Sequence, residues 1–255
     1  MPVRENKVKQ ILKSGGTVYS SALRLPESGL CEILGYAGFD FVLIDGEHGA
    51  VDASVIDRQV QGCFAGGTVP VMRVLRNNDP EGIGHALDMG VQGVLIPHCR
   101  TAADARALQD AAFYPPQGHR GYGPGRGTKW GLIPGPEYLA TINDQVALFA
   151  LIEDVEGIEN IEEIAAVGLD VLWVGTSDLA ADMGLQGQVS HPRVMEAAER
   201  VLKACQRHNV AAGFPARDVE MAVWARDQGY RAIGYGIAEQ YIMQTSRRFL
   251  EAVGR

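Results

Sequence analysis

The sequence lacks both long apolar runs and an excess of basic residues. No stretch approaches the roughly 18 consecutive apolar residues that a membrane span needs, and the opening MPVRENKVKQ has no apolar stretch behind its charges, as a secretion signal would. The 23 Lys and Arg residues against 31 Asp and Glu leave a net charge of −8, with no surplus of cations for phosphate. We therefore expect a cytoplasmic protein that binds neither membranes nor nucleic acid.

Cysteine is scarce too, and the usual phosphate-binding glycine motifs are absent. The four cysteines, Cys31, Cys63, Cys99 and Cys205, are scattered without the Cys-x-x-Cys spacing of metal or redox sites. Neither a Walker-type loop nor a Gly-x-Gly-x-x-Gly between strand and helix is present. The sequence therefore predicts free, buried thiols and gives no support to nucleotide binding.

The fold prediction depends on eight short apolar runs, each followed by a helical pattern. Such alternation builds parallel sheets, and apolar residues at consecutive positions indicate strands buried on both faces. At about 32 residues per unit, the chain predicts one (β/α)8 barrel, a TIM barrel, over residues 1–255. An extra helix is expected at about residues 4–13 and a last one at about 238–253. The runs begin at Thr17, Phe41, Val69, Gly93, Val146, Asp170, Val210 and Ala232.

One segment interrupts this rhythm. Residues 114–136 form a stretch that is longer than ordinary connections and too rich in glycine and proline for a helix. Because the segment follows a helix and precedes a strand, it should emerge at the N-terminal end of the barrel. We expect it to serve in a subunit contact rather than as a lid over the active site.

Polar side chains follow the predicted strands where each one ends, which is where such barrels build their active sites. Glu153 and Asp178, after neighbouring strands, are expected to hold Mg²⁺ or Mn²⁺, because hard cations prefer carboxylate oxygens and few protein ligands in catalytic sites. The alternative is that each carboxylate caps the helix that follows it. Their occurrence on neighbouring strands favours the metal site.

A histidine and an arginine extend this set. His48 follows an Asp-Gly-Glu turn and is the candidate general base, because the ordinary pKa of histidine lies near neutrality. Arg73 ends an apolar strand, where a guanidinium needs an anion. That anion is either a substrate oxygen beside the metal or a carboxylate of the same chain, Asp45 or Glu47. His98 ends the fourth run in a comparable position, where a structural role is the more common one.

Lysine is missing from every predicted strand end. The lysines are Lys7, Lys9, Lys13, Lys129 and Lys203. Catalysis through a Schiff base is therefore not expected.

Six segments carry a family resemblance: FVLIDGEHG (41–49), VMR (71–73), LDMGVQGVLIP (87–97), YPPQGHRGYG (114–123), LIE (151–153) and VGTSDLAADMG (174–184). They resemble the metal-dependent pyruvate aldolases of the HpcH/HpaI aldolase family, typified by 4-hydroxy-2-oxoheptanedioate aldolase. The resemblance implies reversible cleavage of 4-hydroxy-2-oxo acids to pyruvate, or a related 2-oxo acid such as hydroxypyruvate, and an aldehyde. The reaction would pass through a metal-bound enolate, with Mg²⁺, Mn²⁺ or Co²⁺ as the cofactor.

The resemblance also implies roles for single residues. Glu153 and Asp178 match the metal ligands of the family. His48 matches the base, and Arg73 matches the arginine that steadies the enolate oxygen. Ser177, together with Asp178, matches the backbone amides that bind the pyruvate carboxylate.

An oligomer of barrels, often a hexamer, is implied as well, with a last helix that is exchanged between neighbours. Asp88 matches an aspartate that supports the histidine of the adjacent subunit. Its position agrees with this role, because Asp88 ends a helix, on the face opposite its own strand ends. It would therefore meet His48 only across a subunit boundary, which predicts active sites at the subunit interfaces.

Two positions bear on the substrate. Leu151 stands where family members commonly have glutamine, which removes a hydrogen-bonding group beside the substrate, and Phe214 lies near the position that shapes the aldehyde pocket in relatives. Rival functions are an acyl-CoA lyase of the citryl-CoA or malyl-CoA type, an oxaloacetate decarboxylase, and a barrel that binds without catalysis. The complete set of metal ligands, base and arginine favours the aldolase.

Overall fold

The computed structural model describes residues 2–255 and confirms the predicted barrel. Eight parallel strands pair in chain order, and the eighth closes onto the first. Each of the eight apolar runs contains one strand. The strands are β1 (Val18–Leu23), β2 (Phe41–Asp45), β3 (Val69–Arg73), β4 (Gly93–Ile96), β5 (Ala147–Ile152), β6 (Val171–Val174), β7 (Ala211–Ala216) and β8 (Ala232–Ile237).

Side chains alternate along each strand between the barrel interior and the surrounding helix layer. In the interior, the ring of Phe41 packs against Phe149 and meets Trp173 edge-on. A second and larger apolar cluster lies between the strands and the helices. Because side chains fill the barrel, polar groups collect at the ends of the strands rather than along a central channel.

The helices begin and end at the signals that the sequence contains. Thr101 and Asp104 form a capping box, Asp79 caps the helix that starts at Pro80, and Asn209 ends another in a left-handed conformation. In chain order the helices are α1 (Lys7–Lys13), α2 (Ser28–Tyr36), α3 (Ala53–Gly66), α4 (Pro80–Asp88), α5 (Ala102–Ala112), α6 (Gly135–Leu139), α7 (Val155–Glu159), α8 (Ile161–Ala165), α9 (Thr176–Asp182), α10 (Pro192–His208), α11 (Val219–Gln228) and α12 (Ala238–Ala252), with a 3-10 turn at Ile142–Gln145.

Helix α1 closes the N-terminal end of the barrel. Val8 and Leu12 pack into the interior cluster. The buried ammonium of Lys9 lies 3.0 Å from a carboxylate oxygen of Asp170, and the side chain of Asn6 donates to two main-chain carbonyls. The polar groups under the barrel are thus paired, which offsets the cost of removing them from water.

Residues 114–136 lie at this same end, as predicted. Within them, Arg126 pairs with Asp57 of α3, and Arg120 Nη2 lies 2.6 Å from Asp88 Oδ1 at the end of α4. Lys129 donates to the carbonyl of Pro2. The segment is therefore fastened to the side of α3 and to the end of α4, and its role in a subunit contact stays a prediction.

The last helix packs little of its surface onto its own barrel. Of the residues in α12, Ala238 is buried, whereas large apolar side chains are exposed along the helix: Ile242, Met243, Phe249 and Leu250. None of the helices within residues 2–255 is long and apolar enough to cross a membrane.

Candidate active site

The mouth of the barrel is built from residues at inward positions just beyond the apolar interior. Asp45 ends β2 and is the register partner of Arg73, which ends β3. Glu153 directly follows β5, two residues after the inward-facing Leu151. Because side chains alternate along a strand, these polar groups continue the inward series and converge on one opening.

Asp45 organises the β1 to β3 side of the mouth. Its carboxylate receives two hydrogen bonds from Arg73, at 2.9 Å from Nε and 2.6 Å from Nη2, and one of 2.8 Å from Nε of Arg24. Asp45 Oδ1 also accepts the backbone N–H groups of Glu47 and His48. One buried carboxylate therefore fixes both the arginine and the turn that carries the histidine.

The charges of this side satisfy one another. Burial by itself would raise the pKa of Asp45, but the hydrogen bonds and the charge of Arg73 overcome that effect and lower the pKa to about 2. Burial would likewise lower the pKa of Arg73, yet Asp45 and Glu47 raise it. The ion pair that the sequence left open as an alternative for Arg73 is present, and the guanidinium is held at a defined place on the mouth.

Glu47 is a site residue to which the sequence analysis gave no role of its own. Its Oε2 lies 2.9 Å from Arg73 Nη1 and 3.7 Å from His48 Nε2, and its Oε1 lies 3.8 Å from His98 Nε2. The imidazole of His48 is half exposed. Glu47 thus lies between both histidines and the arginine, a position that the motif Asp-Gly-Glu-His does not reveal without the strand packing.

Glu153 occupies the opposite side of the mouth and is almost fully buried, with a side chain 2% exposed. Its Oε1 accepts the backbone N–H of His98 at 2.9 Å. Burial is the main reason that its pKa is raised, to about 7, and Asp178 and Glu47 raise it further. Gly175 permits this packing, because a Cβ there would lie 2.5 Å from the Cβ of Glu153.

The acidic pair fits a hard divalent cation. Asp178 lies in the first turn of α9, close enough to Glu153 for its charge to raise the pKa of that carboxyl. Within residues 2–255, no lysine or arginine lies within ion-pair distance of Glu153, and no group of three or more His, Cys, Asp or Glu side chains is arranged to hold a metal. A cation here would therefore take two protein ligands and offset a buried charge that has a single ion-pair neighbour among the described residues, His98 Nδ1 at 3.4 Å. Ser177, which precedes Asp178 in the same turn, is exposed.

His98 is more closely tied to the acidic side than its sequence position suggested. Its backbone has a positive φ of 48°, which aims its N–H at Glu153. Its Nδ1 lies 3.1 Å from Asp154, which also pairs with Arg100. Asp154 is the N-cap residue of α7, but its side chain makes no capping hydrogen bond there and contacts His98 instead. Burial opposes the change, yet the neighbouring carboxylates Glu153 and Asp154 raise the pKa of His98.

The two substrate-shaping positions differ in their placement. Leu151 lies in the barrel interior against Trp173, one layer below the acidic side of the mouth. The structure corrects the placement of Phe214, which is 1% exposed and packs against Trp224 and Tyr230 on the helix side of β7. The alternation along β7 explains the difference, because residues 211, 213 and 215 take the inward positions. Phe214 does not line the mouth of its own barrel.

Asp88 lies at the other end of the molecule from these groups. It is half exposed at the end of α4, with Oδ1 bonded to Arg120. The structure therefore does not bring Asp88 to the mouth of its own barrel. Its predicted contact with His48 of an adjacent subunit stays a prediction.

The closed barrel and its polar mouth define a (β/α)8 enzyme, and comparison with known proteins gives its family. The family model HpcH/HpaI aldolase/citrate lyase matches residues 23–244, and the chain belongs to this family. It is 36% identical over 251 residues to the hydroxypyruvate/pyruvate aldolase of Roseovarius nubinhibens, covering 98% of this chain and 97% of the relative. The 4-hydroxy-2-oxo-heptane-1,7-dioate aldolase of Escherichia coli is 35% identical over 236 residues, covering 91% and 89%.

A solved structure agrees with these sequence relatives. An HpcH/HpaI aldolase/citrate lyase family protein from Burkholderia cenocepacia superposes with a TM-score of 0.93 at 33% identity, covering 98% of this chain and all of the other. The two named sequence relatives are aldolases, which are lyases that break and form carbon–carbon bonds.

Proposed function

We propose that this protein is a divalent-metal-dependent aldolase. It reversibly cleaves 4-hydroxy-2-oxo acids to pyruvate, or a related 2-oxo acid such as hydroxypyruvate, and an aldehyde. The observation that carries the proposal is the buried Glu153 beside Asp178, on the same mouth as an arginine held in place by Asp45. The activities in the names of the relatives support the same reaction.

The acidic pair, Glu153 and Asp178, would hold the cation, for which Mg²⁺, Mn²⁺ and Co²⁺ are the candidates. When bound, such a cation polarises a keto group and stabilises the negative charge that develops on its oxygen. Binding, orientation and proton transfer then fall to the side chains of this chain.

His48 is the group that moves the proton. Its half-exposed imidazole can reach a substrate at the mouth, and Asp45 fixes its backbone by accepting its N–H. During cleavage the imidazole takes the proton of the C4 hydroxyl as the bond between C3 and C4 breaks. During synthesis it removes a proton from C3 of the 2-oxo acid.

Arg73 shares the negative charge that forms on the C2 oxygen. Its guanidinium is held by Asp45 and Glu47 before any substrate arrives, so no reorganisation is needed when the charge appears. The backbone N–H groups of Ser177 and Asp178, in the first turn of α9, lack partners within the helix and suit the substrate carboxylate.

The active enzyme, in this proposal, is a cytoplasmic homo-oligomer, a hexamer by family resemblance. Two features support an assembly of this kind. The exposed apolar face of α12 lacks a partner in its own barrel, and an apolar groove opens between α11 and β1. We propose that the α12 of a second copy occupies this groove, and that Asp88 of one subunit supports His48 of another. The groove is lined by Tyr19, Phe39, Val219, Val223 and Tyr235.

A pyruvate-release assay tests the reaction. Purified protein is given 4-hydroxy-2-oxo acids of different length, with and without a strong chelator, and Mg²⁺, Mn²⁺ or Co²⁺ is then added back. We expect chelation to abolish pyruvate release and the cation to restore it. Activity that survives in chelator, with borohydride trapping pyruvate on a lysine, would overturn the proposal.

The same assay separates the rival functions. Cleavage of citryl-CoA or malyl-CoA in place of the oxo acids would identify a thioester lyase. Release of CO₂ from oxaloacetate as the main activity would identify a decarboxylase. A protein that binds these acids without converting any of them would be a non-catalytic barrel.

A further inference from the structure

A second arginine, Arg24, lies at the mouth and has no role in the reaction described so far. It directly follows β1, at an inward position above Ser20 and Ala22. Its Nε donates to Asp45 Oδ2 at 2.8 Å, the same oxygen that Nη2 of Arg73 reaches at 2.6 Å. The two guanidinium groups are therefore neighbours that share one carboxylate oxygen.

The two arginines differ in how much of their hydrogen-bonding capacity is used. Arg73 commits Nε and both terminal nitrogens to Asp45 and Glu47, and its side chain is 11% exposed. Arg24 commits only Nε, and its side chain is 42% exposed. Within residues 2–255, neither terminal nitrogen of Arg24 makes a hydrogen bond. Arg24 thus presents an open pair of donors, the arrangement that binds a carboxylate through two parallel hydrogen bonds.

The backbone of Arg24 is fixed from both sides. Its N–H donates to Glu239 Oε1 at 2.7 Å, and its carbonyl accepts the N–H of Ala50 at 3.1 Å. Gly49 packs directly on it, because a Cβ at Gly49 would lie 3.1 Å from the carbonyl oxygen of Arg24. The turn that carries His48 is thus joined to the backbone of Arg24, which places both residues on the same side of the mouth.

Small residues leave room beside Arg24. The inward positions of β1 and β8 next to it are Ser20, Ala22 and Gly234. A Cβ at Gly234 would collide with Trp173, which forms the layer beneath. The β8 to β1 side of the mouth is therefore lined by small side chains next to a cationic arginine. In the proposed function, the 2-oxo acid end of the substrate lies on the β5 to β6 side.

We propose that Arg24 binds the terminal carboxylate on the aldehyde half of the substrate and so selects its class. This inference rests on the proposed function. The preferred substrates are then 4-hydroxy-2-oxo acids that carry a second carboxylate at the far end. Cleavage of such a substrate between C3 and C4 gives pyruvate and an aldehyde that bears a carboxylate.

Two unreactive analogues test this inference. 2-Oxoheptanedioate and 2-oxoheptanoate both carry the 2-oxo acid end, lack the C4 hydroxyl that cleavage needs, and differ in the terminal carboxylate. Calorimetric titration of the Mg²⁺-loaded protein gives the dissociation constant of each. We expect the wild type to bind the dicarboxylate roughly tenfold to a hundredfold more tightly, the range for hydrogen bonds to a charged group.

The variants separate binding from positioning. In Arg24→Gln the ratio of the two dissociation constants should fall to about one. Arg24→Lys should keep part of the preference for the dicarboxylate, because lysine retains the positive charge but lacks the paired donors of the guanidinium. Arg58→Gln, at an exposed site on α3, should keep the wild-type ratio. An unchanged ratio in Arg24→Gln, or a wild-type ratio near one, would overturn the inference, since Arg24 would then act only on Asp45.

A separate measurement reports on the proposed function itself. Exchange of the C3 protons of pyruvate with deuterated water needs no aldehyde and no second carboxylate. If the wild type does not catalyse this exchange, the proposed function fails, whatever the binding ratio. If exchange occurs and the ratio does not depend on Arg24, only the role of Arg24 fails.

Discussion

The two sides of the barrel mouth handle charge in opposite ways. On the β1 to β3 side, Asp45 and Glu47 meet two arginines, and the pKa of Asp45 falls to about 2. On the β5 to β6 side, Glu153 lies beside Asp178, and the pKa of Glu153 rises to about 7 mainly through burial. The charges of the β1 to β3 side are thus nearly balanced, whereas the β5 to β6 side keeps an excess of negative charge. A bound divalent cation would offset that excess.

The largest effect should follow from removing the acidic side. Glu153→Gln keeps the volume of the side chain but loses the negative charge for the cation. We expect the exchange of pyruvate C3 protons, followed by nuclear magnetic resonance with Mg²⁺ present, to fall by about a thousandfold or more, because a bound cation supplies several kcal/mol of charge stabilisation.

The matched control is Glu156→Gln, three residues on and exposed in the first turn of α7. It should exchange at close to the wild-type rate. If Glu153→Gln exchanged the C3 protons of pyruvate as fast as this control, the β5 to β6 side of the mouth would not be the site of the cation.

On the balanced side, the largest loss is expected for Arg73. Arg73→Ala should cost about 3 kcal/mol of transition-state stabilisation, the scale for one lost electrostatic donor, which is roughly a hundredfold in kcat/KM for pyruvate release. Arg76→Ala, on the exposed loop after the same strand, serves as the control. Equal rates in the two variants would show that Arg73 only neutralises Asp45.

The balance of charge should also appear in the stability of the protein against acid. The pKa of Asp45 in the folded protein, about 2, lies below the ordinary aspartate value of 3.8, and its side chain is 1% exposed. Its ionised form therefore stabilises the fold above pH 4, and that contribution, about 2 kcal/mol, is lost as the pH falls through 2. Urea unfolding of the wild type and Asp45→Asn between pH 6 and 2 measures it, and parallel curves would contradict the assignment.

The smallest effect tests whether the mouth is complete without a second subunit. Asp88→Asn should lower kcat by roughly tenfold, since one hydrogen bond to a charged group contributes about 1.5 kcal/mol. Asp57→Asn, which removes a second ion pair between a helix and residues 114–136, should leave kcat unchanged. Mixing inactive His48→Ala subunits with Asp88→Asn subunits should restore activity, because some sites then combine two intact partners. No recovery would place Asp88 outside the site.

Most of the barrel could be predicted from the sequence, because strands and their ends are indicated by neighbouring residues. Apolar runs such as 41–45 and 147–152 identify the strands, and the residue after each run identifies the mouth. The alternation of side chains along each strand could have predicted two further placements. Counting in twos along β1 places Arg24 inward, and counting in twos along β7 places Phe214 outward.

Other site features have no local signal. Glu47 lies within 4 Å of two histidines and an arginine that come from three different strand ends. His98 donates its backbone N–H to Glu153 from a left-handed conformation. The identity of its side chain does not predict either feature. Such contacts depend on the stagger and twist with which the strands close.

The sequence by itself determined that eight apolar segments would be buried on both faces and that carboxylates, a histidine and an arginine would follow them, because burial and strand ends are properties of neighbouring residues. Only the tertiary structure decided which charges meet. Asp45 is shared by Arg24 and Arg73, while Glu153 has no arginine or lysine partner within the described chain. These partnerships join residues 21 to 28 positions apart, and the geometry of the closed barrel, not the order of the chain, sets the distances between them.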